Sequence, residues 1–122
     1  MDPERVKLLI VEDHPDAART LARLLTAVGY SVRTASTVAR ALECLTHEHF
    51  DVVVSDISLP DASGHDLMRQ IGIYGSIRGV AMSGHGAKED VQKSLDAGFR
   101  EHLTKPVKVW ELEDAVRRAL AG

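Results

Sequence analysis

Four short segments hold the side chains able to do chemistry: Glu12 and Asp13 in VEDHPD, Asp56 in VVVSD, Ser83 with Gly84 in VAMSG, and Lys105 in LTKPV. Three carboxylates gathered in one place repel one another, which raises the pKa of at least one unless a cation neutralises them. Oxygen donors with no Cys or His partner at ligand spacing match a hard ion, magnesium or manganese, completed by water and phosphate oxygens. An aspartate in such a setting can attack phosphorus and form an aspartyl phosphate. The Lys105 amine would then offset charge on the transferring oxygens. Singly, each residue has an ordinary alternative: Asp13 can cap a following helix, Asp56 can form a turn before Leu59-Pro60, and Ser83 and Lys105 can simply be solvated.

The elements around these residues decide whether they meet. VKLLIVE is a nearly unbroken run of bulky apolar residues, suited to a strand covered on both faces in a parallel sheet. HPDAARTLARLLTAVG follows as a helix, with Pro15 at its first turn, Gly29 as its stop, and Ala17, Ala18, Leu21, Leu24, Leu25 and Val28 as its stripe. YSVRTAS reads as a second strand, and TVARALECLTHEH as a second helix capped by Thr37 or Ser36. FDVVVSD is a third, β-branched strand, and ISLPDASG a turn-rich loop before a short helix around HDLMRQI.

IRGVAMSG is the fourth strand; AKEDVQKSLDAG is a helix with Val91 and Leu95 one turn apart and Gly98 as its stop. REHLT is a short fifth strand, and VWELEDAVRRALAG closes the pattern with Leu112, Ala115, Val116, Ala119 and Leu120 on one stripe. Strict alternation with short connections predicts a parallel sheet with right-handed crossovers and helices on both faces. Strands of such a sheet point the same way, so the chemical residues, each at a strand's carboxyl end, share one rim.

Composition sets the bounds. The 122 residues, 44% hydrophobic and 27% charged, match one ordinary domain with no internal repeat, linker or low-complexity segment. One cysteine, Cys44, excludes an internal disulfide, and no signal-peptide pattern or long apolar stretch is present, which together predict a cytoplasmic setting and no membrane. A net charge of -3 with scattered basic residues carries no footprint for direct nucleic-acid binding.

VEDHPD, VVVSDISLPDASG, VAMSGHG and LTKPV, in this order and each after the matching strand, resemble the four motifs of the receiver domain of two-component response regulators. The resemblance runs from about Lys7 to Leu120. It implies a doubly wound (βα)5, flavodoxin-like, three-layer α/β fold with strand order 2-1-3-4-5. It also implies a single receiver domain over 1–122, core about 6–120, with no output domain.

By the same resemblance, Asp56 corresponds to the phosphoacceptor. Glu12 and Asp13 correspond to the acidic pair that, with Asp56 and the backbone carbonyl of Ser58, positions the metal. Ser83 matches the switch hydroxyl, Gly84 the small residue that leaves the phosphoryl group access, and Lys105 the lysine that pairs with it, followed by Pro106 across a cis bond. His102 stands where the family usually has a switch aromatic. His85, two residues after Ser83, falls where phosphoryl lifetime is tuned.

The implied function is phosphorelay signalling. A histidine kinase or histidine phosphotransfer protein donates to Asp56, and phosphorylation biases two states of the surface formed by the fourth helix, fifth strand and fifth helix. A partner or a second copy reads that surface, with Trp110 the foremost contact residue and Ile73 and Tyr74 secondary. DAGFREHLTKPV is similar to receivers of hybrid sensor histidine kinases, so a receiver excised from such a parent stands beside the single-domain reading.

Other classes fit less well. An aspartate-nucleophile phosphatase would carry a second carboxylate two residues after the nucleophile, whereas Asp56 is followed by Ile57-Ser58; turnover as an enzyme is disfavoured. A flavin or nucleotide module would need a hydroxyl- and glycine-rich first loop, not EDHPD. SGHG is too short for a P-loop and reads as a turn. A phosphorylation-independent interaction module of the same fold remains as the alternative. His47 and His49 read as solvated, Cys44 and Met82 as packing residues, and His14, His65 and His85 as neighbours of the acidic rim.

Overall fold

The structure is a computed structural model, and it describes residues 5–72, 76–84 and 86–121. Five strands alternate with five helices in chain order: β1 (Lys7–Val11), α1 (Pro15–Val28), β2 (Ser31–Ala35), α2 (Val38–His47), β3 (Val52–Asp56), α3 (Gly64–Gly72), β4 (Arg78–Ser83), α4 (Lys88–Ala97), β5 (Glu101–Thr104) and α5 (Val109–Ala121). The strands form one parallel sheet in the order β2-β1-β3-β4-β5, as the resemblance implied.

Strand pleating splits the core into two layers. Leu9, Val11, Val53 and Ala81 face α2, α3 and α4, where they meet Val38, Ala41, Leu67, Ile71 and Ala97. Leu8, Ile10, Val52, Val54, Val80 and Met82 face α1 and α5, where they meet Leu25, Leu112, Ala115 and Val116. A central strand thus needs apolar side chains at every position, and all five residues of β3, including Ser55 and Asp56, are buried. Each fully buried aliphatic side chain here contributes roughly 1.5–3 kcal/mol relative to exposure.

Helix ends follow their local signals. Pro15 begins α1, Gly29 and Gly98 close α1 and α4 with positive φ, and the Thr37 side chain caps α2 by accepting from the Arg40 N–H. Asp13 does not cap α1: His14 occupies the cap position, with no side-chain cap bond.

Two stripes are narrower than periodicity predicts. Leu24 and Val28 of α1 are exposed, and so is Leu95 of α4, where Ser94 and Ala97 are the buried residues instead. Each helix touches the sheet along one line, so apolar residues a quarter-turn off that line stay in solvent.

Candidate phosphoryl-accepting site

Register brings the rim together. Val11 pairs with Ser55, so Glu12 and Asp56 lie side by side at the ends of β1 and β3. Asp56 pairs with Met82 and Ser83 with Thr104, so Ser83 and Lys105 continue the same edge one strand further on. A hydrogen bond of 2.7 Å from the Lys105 N–H to the Ser83 carbonyl fixes that end, and the Lys105-Pro106 bond is cis.

Lys105 reaches across the cluster. Its Nζ donates to Glu12 Oε1 at 3.0 Å and to Asp56 Oδ2 at 2.8 Å. Both carboxylates are almost fully buried, whereas the lysine is about one-third exposed. Two buried negative charges are tolerable only with this ammonium between them.

Burial by itself would raise the Glu12 pKa, but hydrogen bonds from His14 and Lys105 outweigh it and hold the carboxyl below its usual range. Lys105 shows the converse: burial would lower its pKa, and its bonds to Asp56 and Glu12 raise it. The other Glu12 oxygen accepts from the His14 N–H at 3.1 Å and lies 2.9 Å from the ring Nδ1, which raises the His14 pKa.

Asp13 supplies the group that the protein itself does not satisfy. Its Oδ1 is buried with no hydrogen-bond partner among the described residues, and it lies 3.5 Å from His14 Nδ1. Ligand atoms of Glu12, Asp13, His14 and Asp56 all lie within 4.8 Å of one another. An orphaned carboxylate oxygen facing two further carboxylates is a donor set for a hard divalent ion, so the residues present fit magnesium or manganese.

The β3–α3 connection shapes the opposite side. The Ser58 N–H donates to Asp56 Oδ1 at 3.3 Å, Ile57 and Gly64 are joined by a 2.8 Å backbone bond, and Ser58 bridges to Ser63. A Cβ at Gly64 would collide with the Asp56 carbonyl oxygen, so glycine is required there for close approach. Gly84 differs: among the described residues, a Cβ there would meet nothing within 4 Å. A cavity of about 560 Å³ opens beside Lys105 between α1 and the β5–α5 connection, bordered by Glu12, His14 and Pro106.

The structure brings Glu12, Asp13, Asp56 and Lys105 together at one rim, with Ser58 and Ser83 adjoining. Ser83 is buried and lies 3.2 Å from the half-buried His102. His85, Ile73 and Tyr74 lie outside the described residues. Trp110 is 60% exposed at the start of α5. His14 borders the rim, but His65 turns instead to Ser94 of α4 and packs edge-on against Phe99. His47 and His49 are exposed, and Cys44 and Met82 pack in the two core layers as expected.

Sequence reading missed Gly64, Asp61 and Ser94. Asp61 accepts from the Val38 and Ala39 N–H groups, which lowers its pKa and ties the β3–α3 connection to the start of α2. A glycine before an apolar helix is the one sequence signal that could have marked the close approach at Gly64.

Comparison with known proteins agrees with this geometry. The family described as response regulator receiver domain matches residues 8–117. The chain is 35% identical over 109 residues to the sensor histidine kinase RcsC of Escherichia coli K12, covering 87% of this chain and 11% of that protein. It is 38% identical over 117 residues to the response regulator protein PilR of Pseudomonas aeruginosa, covering 95% of this chain and 26% of that one. The chain thus spans only a small part of these relatives.

Among solved structures, a CheY-like receiver domain protein from Methanospirillum hungatei superposes with a TM-score of 0.89 at 26% identity, covering 97% of this chain and 95% of that one. A response regulator from Burkholderia pseudomallei with a phosphorylated aspartic acid and a calcium ion superposes with a TM-score of 0.87 at 26% identity, covering 95% and 69%. Receiver domains act as signalling domains with histidine kinases or phosphotransfer proteins and bind Mg2+ at an acidic pocket, and an acidic cluster of that kind stands at the rim here. From the match over 8–117, the parallel sheet and the carboxylate rim with its lysine, the chain belongs to the response regulator receiver domain family.

Proposed function

We propose that Asp56 is the phosphoacceptor of this receiver and that its partner is a histidine kinase or a histidine phosphotransfer protein. The observation that carries the reading is the buried Asp56 carboxylate at the end of the central strand, with one oxygen held by Lys105 at 2.8 Å. That bond orients the carboxylate so that the other oxygen faces the loop side, where its contact with the Ser58 N–H is a long 3.3 Å.

In the transfer, an Asp56 oxygen bonds to phosphorus as the P–N bond of the donor phosphohistidine breaks and its electron pair returns to the imidazole nitrogen. Lys105 then pairs with one phosphoryl oxygen and Ser83 donates its hydroxyl hydrogen to another, while Gly84 leaves the approach open. Glu12, Asp13, Asp56 and the Ser58 carbonyl would hold Mg2+ or Mn2+, which when bound supplies positive charge for the phosphoryl oxygens. The chain does not turn over an external substrate; its phosphotransfer and dephosphorylation are its own.

Phosphorylation shifts the surface of α4, β5 and α5, which a partner or a second copy reads, with Trp110 and its exposed ring as a contact. The domain acts in the cytoplasm; no described helix is long and apolar enough to cross a membrane. Neither DNA nor RNA is a direct partner, in keeping with the net charge of -3.

Intact-mass analysis after incubation with a small phosphodonor tests the assignment. A magnesium-dependent phosphate adduct is expected on the wild type and not on Asp56→Asn. No adduct from the small donor or from purified donor kinases would overturn it and leave a phosphorylation-independent interaction module.

A further inference from the structure

His14 adds a nitrogen to a rim that the sequence presents as oxygen donors alone. Its ring Nδ1 lies 2.9 Å from Glu12 Oε2 and 3.5 Å from Asp13 Oδ1, the buried oxygen without a hydrogen-bond partner among the described residues. Ligand atoms of Glu12, Asp13, His14 and Asp56 all fall within 4.8 Å of one another. Neighbouring ligands on an octahedral ion with bonds of about 2.1 Å stand about 3.0 Å apart. Nδ1 therefore has the spacing of a further ligand to the ion that the three carboxylates fit.

Neither of the ordinary tasks for a side chain at this position needs the ring. His14 occupies the cap position of α1 with extended backbone, φ -87° and ψ 112°, but makes no side-chain cap bond. Ser, Thr, Asp and Asn are the residues that cap well. Glu12 does not depend on the imidazole either: its Oε2 accepts from the His14 backbone N–H at 3.1 Å and its Oε1 from Lys105 at 3.0 Å. The ring itself is 73% exposed, so no packing holds it away from an ion at the rim.

Charge balance favours a neutral donor here. Glu12, Asp13 and Asp56, ionised beside the Lys105 ammonium, leave two negative charges, which one divalent ion offsets. A fourth carboxylate would leave an excess; an imidazole adds a ligand and no charge. In the neutral tautomer with its hydrogen on Nε2, the ring presents the Nδ1 lone pair.

The nitrogen also bears on which ion is taken. Mg2+ binds oxygen and keeps several of its waters, whereas imidazole suits first-row transition ions. We propose that His14 is a ligand of the divalent ion at this rim, through Nδ1, and that it shifts the preference of the site from Mg2+ toward first-row transition ions such as Mn2+ and Co2+. This rests on the reading of the rim as a metal site. As the lone pair turns to the ion, the contact with Glu12 Oε2 is given up and any proton held at Nδ1 passes to water.

Electron spin-echo spectroscopy of Mn2+ bound to protein carrying 15N-histidine tests the ligand directly. A coordinated imidazole nitrogen modulates the echo; this modulation is expected in the wild type and absent in His14→Ala. Bound Mn2+ without it would leave the carboxylate site standing and overturn His14 as a ligand. A wild-type spectrum that stays that of the free ion would overturn both.

Calorimetric titration with Co2+ and with Mg2+ tests the preference. His14→Ala is expected to weaken Co2+ binding at least about tenfold, the usual scale for a lost contact in a metal site, and Mg2+ binding far less. An equal loss for the two ions would show that the ring acts only through its contact with Glu12, and would overturn the proposal. Because the ring is exposed and caps nothing, His14→Ala is expected to keep the wild-type circular dichroism and melting temperature in the absence of metal.

Discussion

Lys105 is the residue on which the electrostatics of the rim turns. Its ammonium bonds to both Glu12 and Asp56, so Lys105→Met leaves two buried carboxylates facing each other without the ammonium they share. In the wild type the folded pKa of Glu12 lies below its unfolded value of 4.5. Its stabilising contribution is therefore complete above that pH and lost as pH falls through the folded value. In Lys105→Met, acidification instead relieves repulsion. The melting temperature of the variant is thus expected to lie furthest below that of the wild type near pH 7, with the gap closing toward pH 4; thermal melts of both proteins across that range check it. A gap that widens on acidification would show that Lys105 does not compensate these carboxylates. Adding Mg2+ is expected to stabilise the wild type, because the ion also satisfies the orphaned Asp13 oxygen.

Individual elements position the rim through contacts whose importance differs sharply between neighbours. Gly64 opens α3 against the Asp56 backbone, and a methyl group there meets a carbonyl oxygen that cannot step aside. Gly64→Ala is expected to cost about 1–3 kcal/mol by chemical denaturation, the usual range for overpacking, and to slow phosphorylation because the loop next to Asp56 must shift. Unchanged stability would mean that the close approach is not rigid. Along α1, Leu25 is fully buried and Leu24 is 43% exposed. Leu25→Ala should cost about 2–5 kcal/mol and Leu24→Ala within about 0.5 kcal/mol, although hydrophobic periodicity assigns both to one stripe. Periodicity reports the direction of an apolar face, whereas the width of that face depends on how closely the sheet and α5 approach.

At the scale of the whole molecule, the parallel sheet acts as a frame: one edge collects the chemistry, and α4, β5 and α5 form a flank that contains Ser94, His102 and Trp110. Trp110, the only tryptophan in the sequence, is 60% exposed, so its fluorescence should be readily quenched by acrylamide in the unphosphorylated protein. Phosphorylation that drives self-association through this flank would protect the ring. Trp110→Ala is then expected to fold with stability within about 0.5 kcal/mol of the wild type while losing association in sedimentation. Equal association of variant and wild type would remove Trp110 from the interface.

Much of this architecture is written in local pattern. Apolar runs that end on Glu12, Asp56 and Ser83, separated by capped helices, determine a parallel sheet with one chemical rim, because parallel strands necessarily point their carboxyl ends the same way. Pro15, Gly29, Thr37 and Gly98 mark helix ends by their own backbone and side-chain preferences, which act over a few residues. Tertiary structure decided what depends on partners far along the chain: Asp61 bonding to the start of α2, Lys105 bridging Glu12 and Asp56, the exposure of Leu24 and Leu95, and the meeting of Ser94 with His65 and His102. A serine or histidine has no periodic signature. Its role is set by which groups the folded sheet and helices bring within hydrogen-bond distance, and no local preference contains that distance.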